Sequence, residues 1–147
     1  MPGLSGRDPL RYLLRRIPAL AGAIVACLTA GCDLTYPEVV VVNDIAPDIV
    51  LRNPSWNGCV WNVVLHFGDT TVPKRCLPGE GRVHFGKLDL GDVSADLAEA
   101  GEDGVVPMWF NYQTSTVQSA GAGDFRVFRV EADDLEQDFS IPGPYGH

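Results

Sequence analysis

Basic side chains are scarce over most of this 147-residue chain. After residue 31, seven lysines and arginines stand against 18 aspartates and glutamates, and the formal net charge of the whole chain is −8. Because a protein that binds nucleic acid needs a basic surface to meet the phosphates, this balance argues against a nucleic-acid partner. The other basic residues are concentrated at the start, where four arginines precede residue 17.

The chain also lacks the sequence motifs of common enzyme classes. No Gly-x-Ser-x-Gly elbow is present, and no phosphate-binding glycine loop follows a predicted strand. The acidic residues are scattered and do not match the spacing of an EF-hand calcium loop. His66 and His84 occupy polar-face positions of predicted strands, where a two-histidine metal site is the alternative to plain surface residues. We predict a protein that is not an enzyme and that has no metal site and no cofactor.

Long apolar runs are limited to one segment near the start. Residues 17–31 contain no charge, follow the four arginines and end in small residues. A basic start, a short apolar stretch and small residues at its end are the three parts of a secretory signal peptide. A transmembrane helix needs about 20 apolar residues, which is more than this run supplies. We predict that residues 1–31 form a helical signal peptide that is cleaved.

The end of the apolar run carries a more specific pattern. Residues 28–32, Leu-Thr-Ala-Gly-Cys, resemble the lipobox of bacterial lipoproteins, in which small residues precede a cysteine. The resemblance implies that Cys32 receives a diacylglyceryl group, that cleavage occurs before it, and that the new amine is acylated. Thr29 stands where leucine is usual in the family, and residues 24–27 form a rival site that ends in Cys27. A plain secreted protein is the alternative.

The lipobox also implies where the protein is located. The expected compartment is the bacterial cell envelope, on the periplasmic or the outer-surface side of a membrane. The expected partner there is the lipid bilayer, through acylated Cys32.

The four cysteines divide between the signal region and the rest of the chain. Cleavage removes Cys27 and lipid occupies Cys32, which leaves Cys59 and Cys76 as one pair. Disulfides persist in the periplasm and outside the cell, and two cysteines alone supply too few ligands for a zinc site. We predict a Cys59–Cys76 disulfide.

The segment after the signal region has the alternation and the β-branched runs of an all-β protein. The four valines at 39–42 predict a strand that is buried on both faces. Residues 60–67 predict the clearest strand, and the turn at Gly68 predicts a hairpin with residues 70–76. The inner face of that clearest strand is predicted to carry Trp61, Val63, Leu65 and Phe67. The only predicted helix covers residues 94–100.

Six or seven short strands with turns rich in proline and glycine predict a small antiparallel β-sandwich with one disulfide. A small closed β-barrel is the alternative. The predicted division of the chain is as follows: signal peptide 1–31, lipidated tether 32–38, β-sandwich domain 39–140 and irregular tail 141–147.

Tryptophans are the remaining candidates for a site. Trp61 lies on the apolar face of its predicted strand, which indicates a place in the core. Trp56 falls in a predicted loop and Trp109 lies opposite its apolar neighbours, so both are candidate exposed binding residues for a carbohydrate or a peptide. The leading hypothesis is a structural or protein-interaction role, with an envelope protein or a glycan as partner. The alternative is a ligand-binding module that uses the exposed tryptophans.

Overall fold

The valine run that opens the domain forms the central strand of a sheet, in keeping with its β-branched composition. A computed structural model of the protein describes residues 35–94 and 107–144. The predicted signal peptide, Cys32 and most of the predicted helix at 94–100 lie outside the described residues. Residues 90–94 are helical. The strands of the described residues are β1 (Glu38–Asp44), β2 (Ile49–Trp56), β3 (Cys59–Val60), β4 (Val64–Leu65), β5 (Lys74–Arg75), β6 (Gly79–Gly81), β7 (His84–Asp89), β8 (Phe110–Thr114), β9 (Gln118–Ala120), β10 (Phe125–Glu131) and β11 (Leu135–Gln137).

The first sheet contains β10, β1 and β5 in that order. β1 pairs with β10 in parallel along its whole length, from Glu38 opposite Phe125 to Asp44 opposite Glu131. β5 pairs antiparallel with the other edge of β1. The side chains of residues 39–42 are all buried, which confirms the predicted strand with two covered faces.

The second sheet contains β11, β8, β7, β2 and β3 in that order, with β4 also paired to β2, and its pairs are antiparallel. β2 contains a β-bulge. Arg52 pairs with Gly86 and Ser55 pairs with His84, so two residues of β2 face a single residue of β7. One of the two is Asn53, whose φ of 48° lies in the left-handed region that Asn tolerates better than most residues.

The bulge reverses which residues of β2 point into the core. Side chains alternate along a strand, so a regular β2 with Leu51 inside would turn Trp56 outside. The extra residue shifts the alternation, and Pro54 and Trp56 are both buried. Trp56 packs edge-on against Phe128 of the first sheet, with ring centroids 4.9 Å apart. The two sheets therefore share one core.

A buried amide joins the two sheets at the end of β1. The side chain of Asn43 is fully buried, and its Nδ2 donates to the carbonyl oxygens of Ile49 at 2.9 Å and Leu65 at 3.0 Å. Its Oδ1 accepts a hydrogen bond from the backbone amide of Ile45 at 3.3 Å. Asn43 therefore links β1 of the first sheet by buried hydrogen bonds to backbone carbonyls of β2 and β4 in the second sheet.

The sheets confirm the predicted all-β sandwich, and no sheet within residues 35–94 and 107–144 closes into a barrel. The strands are more numerous than predicted, and β6 pairs with β9 as a separate small sheet. The parallel pairing of β1 with β10 also differs from the predicted antiparallel arrangement. It joins segments far apart in the chain, and alternation within each segment does not reveal its partner.

The predicted hairpin between residues 60–67 and 70–76 is wrong. β4 pairs with β2, whereas β5 pairs with β1 in the other sheet. The chain bends at Trp61, whose backbone amide donates to the carbonyl of Pro54 at the bulge. Because of this bend Val63 and Phe67 are 36% and 45% exposed, whereas Trp61 and Leu65 are buried as predicted.

The predicted disulfide is confirmed even though the hairpin is not. Cys59 and Cys76 are bonded, with their Cα atoms 5.3 Å apart, and both are buried. The bond links the first residue of β3 in the second sheet to the residue after β5 in the first sheet. It therefore holds the two layers of the sandwich together.

Removing the disulfide should destabilise the domain. Replacement of Cys59 and Cys76 by Ala together is expected to lower the free energy of unfolding by about 2–5 kcal/mol, because the unfolded chain gains the freedom that the cross-link removes. Urea unfolding of the two proteins measures this difference, and the wild type treated with a reductant should match the variant. Equal midpoints for all three samples would contradict the prediction.

Removing the Asn43 amide should also be costly. Asn43→Ala is expected to lower the free energy of unfolding by about 3 kcal/mol, because it removes the three hydrogen bonds that the buried Asn43 amide makes to the backbone at Ile45, Ile49 and Leu65. Asn62→Ala is the matched control, since Asn62 is exposed and its loss should change stability by less than about 0.5 kcal/mol. Similar unfolding midpoints for the two variants would refute the role given to Asn43.

Candidate functional site

The outer face of the second sheet carries a row of polar residues from three neighbouring strands. Arg52 of β2 lies opposite Gly86 of β7, which lies opposite Asn111 of β8. Residues directly opposite each other in antiparallel strands project from the same face of the sheet. His84 is two residues from Gly86 in β7, so it projects from this outer face as well. The other face of these strands carries the core residues Leu51, Phe85 and Tyr112.

A shallow pocket of about 190 Å³ opens on this outer face. The C-terminal segment borders it, because Nδ2 of Asn111 donates to the carbonyl of Pro142 at 3.0 Å. The bulge of β2 borders it on the other side. The lining residues are Arg52, Asn53, Ser55, His84, Phe85, Gly86, Asn111 and Ile141.

Arg52 lies between an aromatic ring and a glycine. The Cζ atom of its guanidinium lies 4.7 Å from the ring centroid of Trp109, a cation–π contact. Its aliphatic part crosses Gly86, where an added Cβ would lie only 2.9 Å from Cγ of Arg52. Gly86, which breaks the alternation of polar and apolar residues in β7, thus leaves the space in which the arginine lies.

Arg52 is the only arginine without a carboxylate partner within the part of the chain that the structure describes. The other arginines there form these ion pairs: Arg75–Glu38, Arg82–Glu136, Arg126–Asp124 and Arg129–Asp44. In an acidic protein, an arginine that is not neutralised by any of the many described carboxylates leaves a local positive charge at the mouth of the pocket.

The second polar element of the pocket is a histidine held by a buried carboxylate. Nδ1 of His84 lies 2.7 Å from Oδ2 of Asp138, whose side chain is only 1% exposed. The other oxygen, Oδ1, accepts hydrogen bonds from the backbone amide and the hydroxyl of Ser140. Burial alone would raise the pKa of Asp138, but the hydrogen bonds from Ser140 and His84 outweigh it and hold the pKa below its ordinary value.

The ionised carboxylate fixes the orientation of the His84 ring. Because Asp138 only accepts hydrogen bonds when ionised, Nδ1 of His84 carries the proton, and Nε2 is the ring nitrogen that Asp138 does not engage. Serine, histidine and aspartate are the residue types of a hydrolase triad, but here the Ser140 hydroxyl donates to Asp138 instead of to the imidazole. The Ser55 hydroxyl donates to the backbone carbonyl of His84. Neither hydroxyl is arranged as a nucleophile activated by this histidine.

The two tryptophans predicted as binding residues differ in their exposure to solvent. The prediction that Trp56 is exposed is wrong: Trp56 is 1% exposed, and its indole Nε1 donates to the carbonyl of Gly81 at 3.0 Å. Trp109 is partly exposed and lies beside Arg52. Trp61 is buried as predicted, with its Nε1 donating to the carbonyl of Val72 at 2.8 Å. Only Trp109 remains a candidate binding residue.

The sequence did not indicate Arg52 or Asp138 as site residues. A signal that could have indicated Arg52 is its place directly before Asn53 and Pro54, because a proline within a strand marks a bulge or an edge. Asp138 has no comparable signal, because its partner His84 is far away in the chain and its polar neighbours are typical of a loop.

The two histidines of the alternative metal site have separate partners. Nδ1 of His66 lies 3.5 Å from the carboxylate of Asp69, whereas His84 is held by Asp138. Across residues 35–94 and 107–144, no three histidine, cysteine or acidic side chains gather in a way that could hold a metal ion. No helix of the same residues is long and apolar enough to cross a membrane.

Comparison with protein families, with curated proteins and with solved structures finds no match to this chain.

The lowered pKa of Asp138 predicts how replacement of this residue changes the pH dependence of the free energy of unfolding. A carboxyl group whose pKa is lower in the folded than in the unfolded state stabilises the fold above about pH 4, and this stabilisation disappears as the pH falls through the folded pKa. Asp138→Asn should therefore lower the free energy of unfolding at pH 7, by about 1–3 kcal/mol for the hydrogen bonds that it weakens.

The measurement is urea unfolding of the wild type and the variant between pH 2 and pH 7. The difference between the two should shrink as the pH falls below about 4, where the carboxyl group of the unfolded wild type is protonated first, and further as the pH passes the lowered pKa of the folded state. Asp133→Asn, a change in an exposed loop, is the matched control and should leave the stability unchanged. A difference that is constant across this range would contradict the proposed role of the ionised carboxylate.

Proposed function

We propose that the protein is a lipid-anchored lipoprotein of the bacterial cell envelope, with a structural or interaction role for its β-sandwich and no catalytic role. The observation that carries the proposal is the disulfide between Cys59 and Cys76. Disulfides persist in oxidising compartments outside the cytoplasm, so the bond supports the export that the signal-peptide pattern of residues 1–31 predicts. The pairing also leaves Cys32 as the cysteine available for lipid in the mature chain.

The proposed anchor has a physical requirement that the lipobox pattern would meet. A single acyl chain binds a membrane only marginally, at about 0.8 kcal/mol for each buried CH₂ group, whereas two or more chains hold a protein there lastingly. A diacylglyceryl group on the Cys32 thiol and an acyl group on its amine together supply three chains. The β-sandwich would then stay at the membrane surface without a spanning helix.

The serines beside His84 and Asp138 hold the polar side of the pocket in place. Ser140 and Ser55 use their hydroxyls to position the carboxylate and the backbone, not to form a nucleophile–base pair. A second candidate role, ligand binding by the sandwich, is favoured by one specific observation. Arg52, which no described carboxylate neutralises, lines a pocket and lies against the ring of Trp109, so that only one of the two predicted tryptophans remains a candidate binding residue.

Replacing the predicted lipid acceptor tests the anchor. In Cys32→Ser we expect no lipid, no cleavage before residue 32 and loss of the protein from the membrane fraction. Mass spectrometry of the N-terminal peptide and detergent phase partitioning measure these outcomes. Cys27→Ser is the matched control, because Cys27 ends the rival site, and it should be processed and retained like the wild type. Lipid on Cys27, or membrane retention of the Cys32 variant, would refute the assignment.

A further inference from the structure

We infer that the pocket formed by Arg52, Gly86, His84 and Asn111 binds a ligand through a single carboxylate group, with Arg52 as the principal contact. The inference rests on the second role proposed above, ligand binding, but not on the lipid anchor. Its failure would therefore leave the membrane attachment through Cys32 untouched.

The positive charge at the pocket is uncompensated and held in place. All the other arginines among the described residues face a carboxylate, whereas Arg52 faces the ring of Trp109 at 4.7 Å. The aromatic ring on one side and the contact with Gly86 on the other restrict the rotamers of a side chain that is otherwise flexible. A guanidinium that is already ordered loses less entropy when it forms paired hydrogen bonds with a planar anion.

The charge balance favours a carboxylate over a phosphate. His84 adds no net charge to the pocket when it is neutral, and when it is protonated its charge is offset by the carboxylate of Asp138. One guanidinium therefore matches one monoanionic group, whereas a dianionic phosphate would bring surplus negative charge next to buried Asp138 in a chain whose net charge is −8. The planar fork of arginine also matches the two oxygens of a carboxylate.

The size of the pocket limits what else the ligand can place there. Its volume of about 190 Å³ is below the roughly 300–1,000 Å³ of typical small-molecule sites. It can receive a carboxylate with a short neighbouring group, for which Ser55 and Asn111 offer polar atoms and Ile141 an apolar wall. The carboxylate could belong to the end of a peptide or to an acidic sugar, and both sources share this chemistry.

The three tryptophans of the chain allow a site-specific binding measurement. The indole N–H groups of Trp56 and Trp61 donate to backbone carbonyls in the core, so their resonances act as internal references for an intact fold. Of the three tryptophans, Trp109 is the one whose ring contacts Arg52, a residue that lines the pocket. In ¹⁵N–¹H spectra of the full chain, purified in a mild detergent, a ligand at the pocket should shift the Trp109 indole resonance and leave the other two in place.

The probes are chosen in matched pairs that differ only in the carboxylate. N-acetylalanine is compared with its primary amide, and glucuronate is compared with glucose. We expect saturable shifts of the Trp109 resonance with at least one of the two carboxylates, a Kd in the range of about 0.1–10 mM for ligands so small, and at least tenfold weaker binding of the uncharged counterpart. A response to N-acetylalanine alone would identify a peptide end as the source, and a response to glucuronate alone an acidic sugar.

Variants separate the arginine from the general charge of the protein. Arg52→Gln should weaken binding of the preferred carboxylate at least tenfold, whereas Arg75→Gln, the matched loss of a positive charge on the other sheet, should leave the Kd unchanged. Gly86→Ala keeps every charged group but places a Cβ against Arg52, and it should also weaken binding. Unchanged Trp56 and Trp61 resonances show in each case that the fold is intact.

Three results would overturn the inference. They are the absence of any Trp109 shift with both carboxylates, equal binding of the carboxylates and their uncharged counterparts, and a Kd that is the same in Arg52→Gln as in the wild type. None of these results depends on lipid at Cys32, which is measured separately by mass spectrometry.

Discussion

The β-bulge of β2 is the constraint on which both the core and the candidate site depend. Two residues of β2 stand opposite one residue of β7 between the pairs Arg52–Gly86 and Ser55–His84. This single insertion turns Trp56 inward against Phe128, which ties the two sheets together. It also leaves Arg52, Asn53 and Ser55 together at the outer pocket, although strict alternation would place them on both faces. A backbone irregularity thus provides a core residue and a site from the same strand.

The outer face of the second sheet differs from the rest of the described surface in how its charged groups are paired. The acidic chain pairs most of its described arginines with carboxylates at the surface, where such pairs contribute little to stability. Two groups depart from this arrangement. Asp138 is buried and kept ionised by Ser140 and His84, whereas Arg52 is stacked on Trp109 without a carboxylate among the described residues. The second sheet therefore presents a cation and an oriented imidazole side by side on an otherwise acidic protein.

Much of the fold could be predicted because its determinants are local. Four β-branched residues in a row predict a strand with two buried faces, and the structure has one at 39–42. The expected compartment and the count of cysteines predicted the bond between Cys59 and Cys76 without knowledge of the fold. The hairpin prediction failed because alternation in residues 60–67 does not identify the partner strand. Here the backbone amide of Trp61 donates a hydrogen bond to the carbonyl of Pro54 at the bulge, and the segment that follows Trp61 pairs with β2.

The sequence by itself determined the all-β class, the cysteine pair and the burial of Trp61, because alternation, β-branched runs and cysteine count are properties of short segments. Only the tertiary structure decided that Trp56 is buried and that Arg52, Trp109, His84 and Asp138 form one site. Arg52 and Trp109 come from β2 and from the residue before β8, and Asp138 follows β11. Their proximity depends on strand order and on one inserted residue. Long-range pairing is settled by the packing of the whole sandwich, not by the pattern within any one strand.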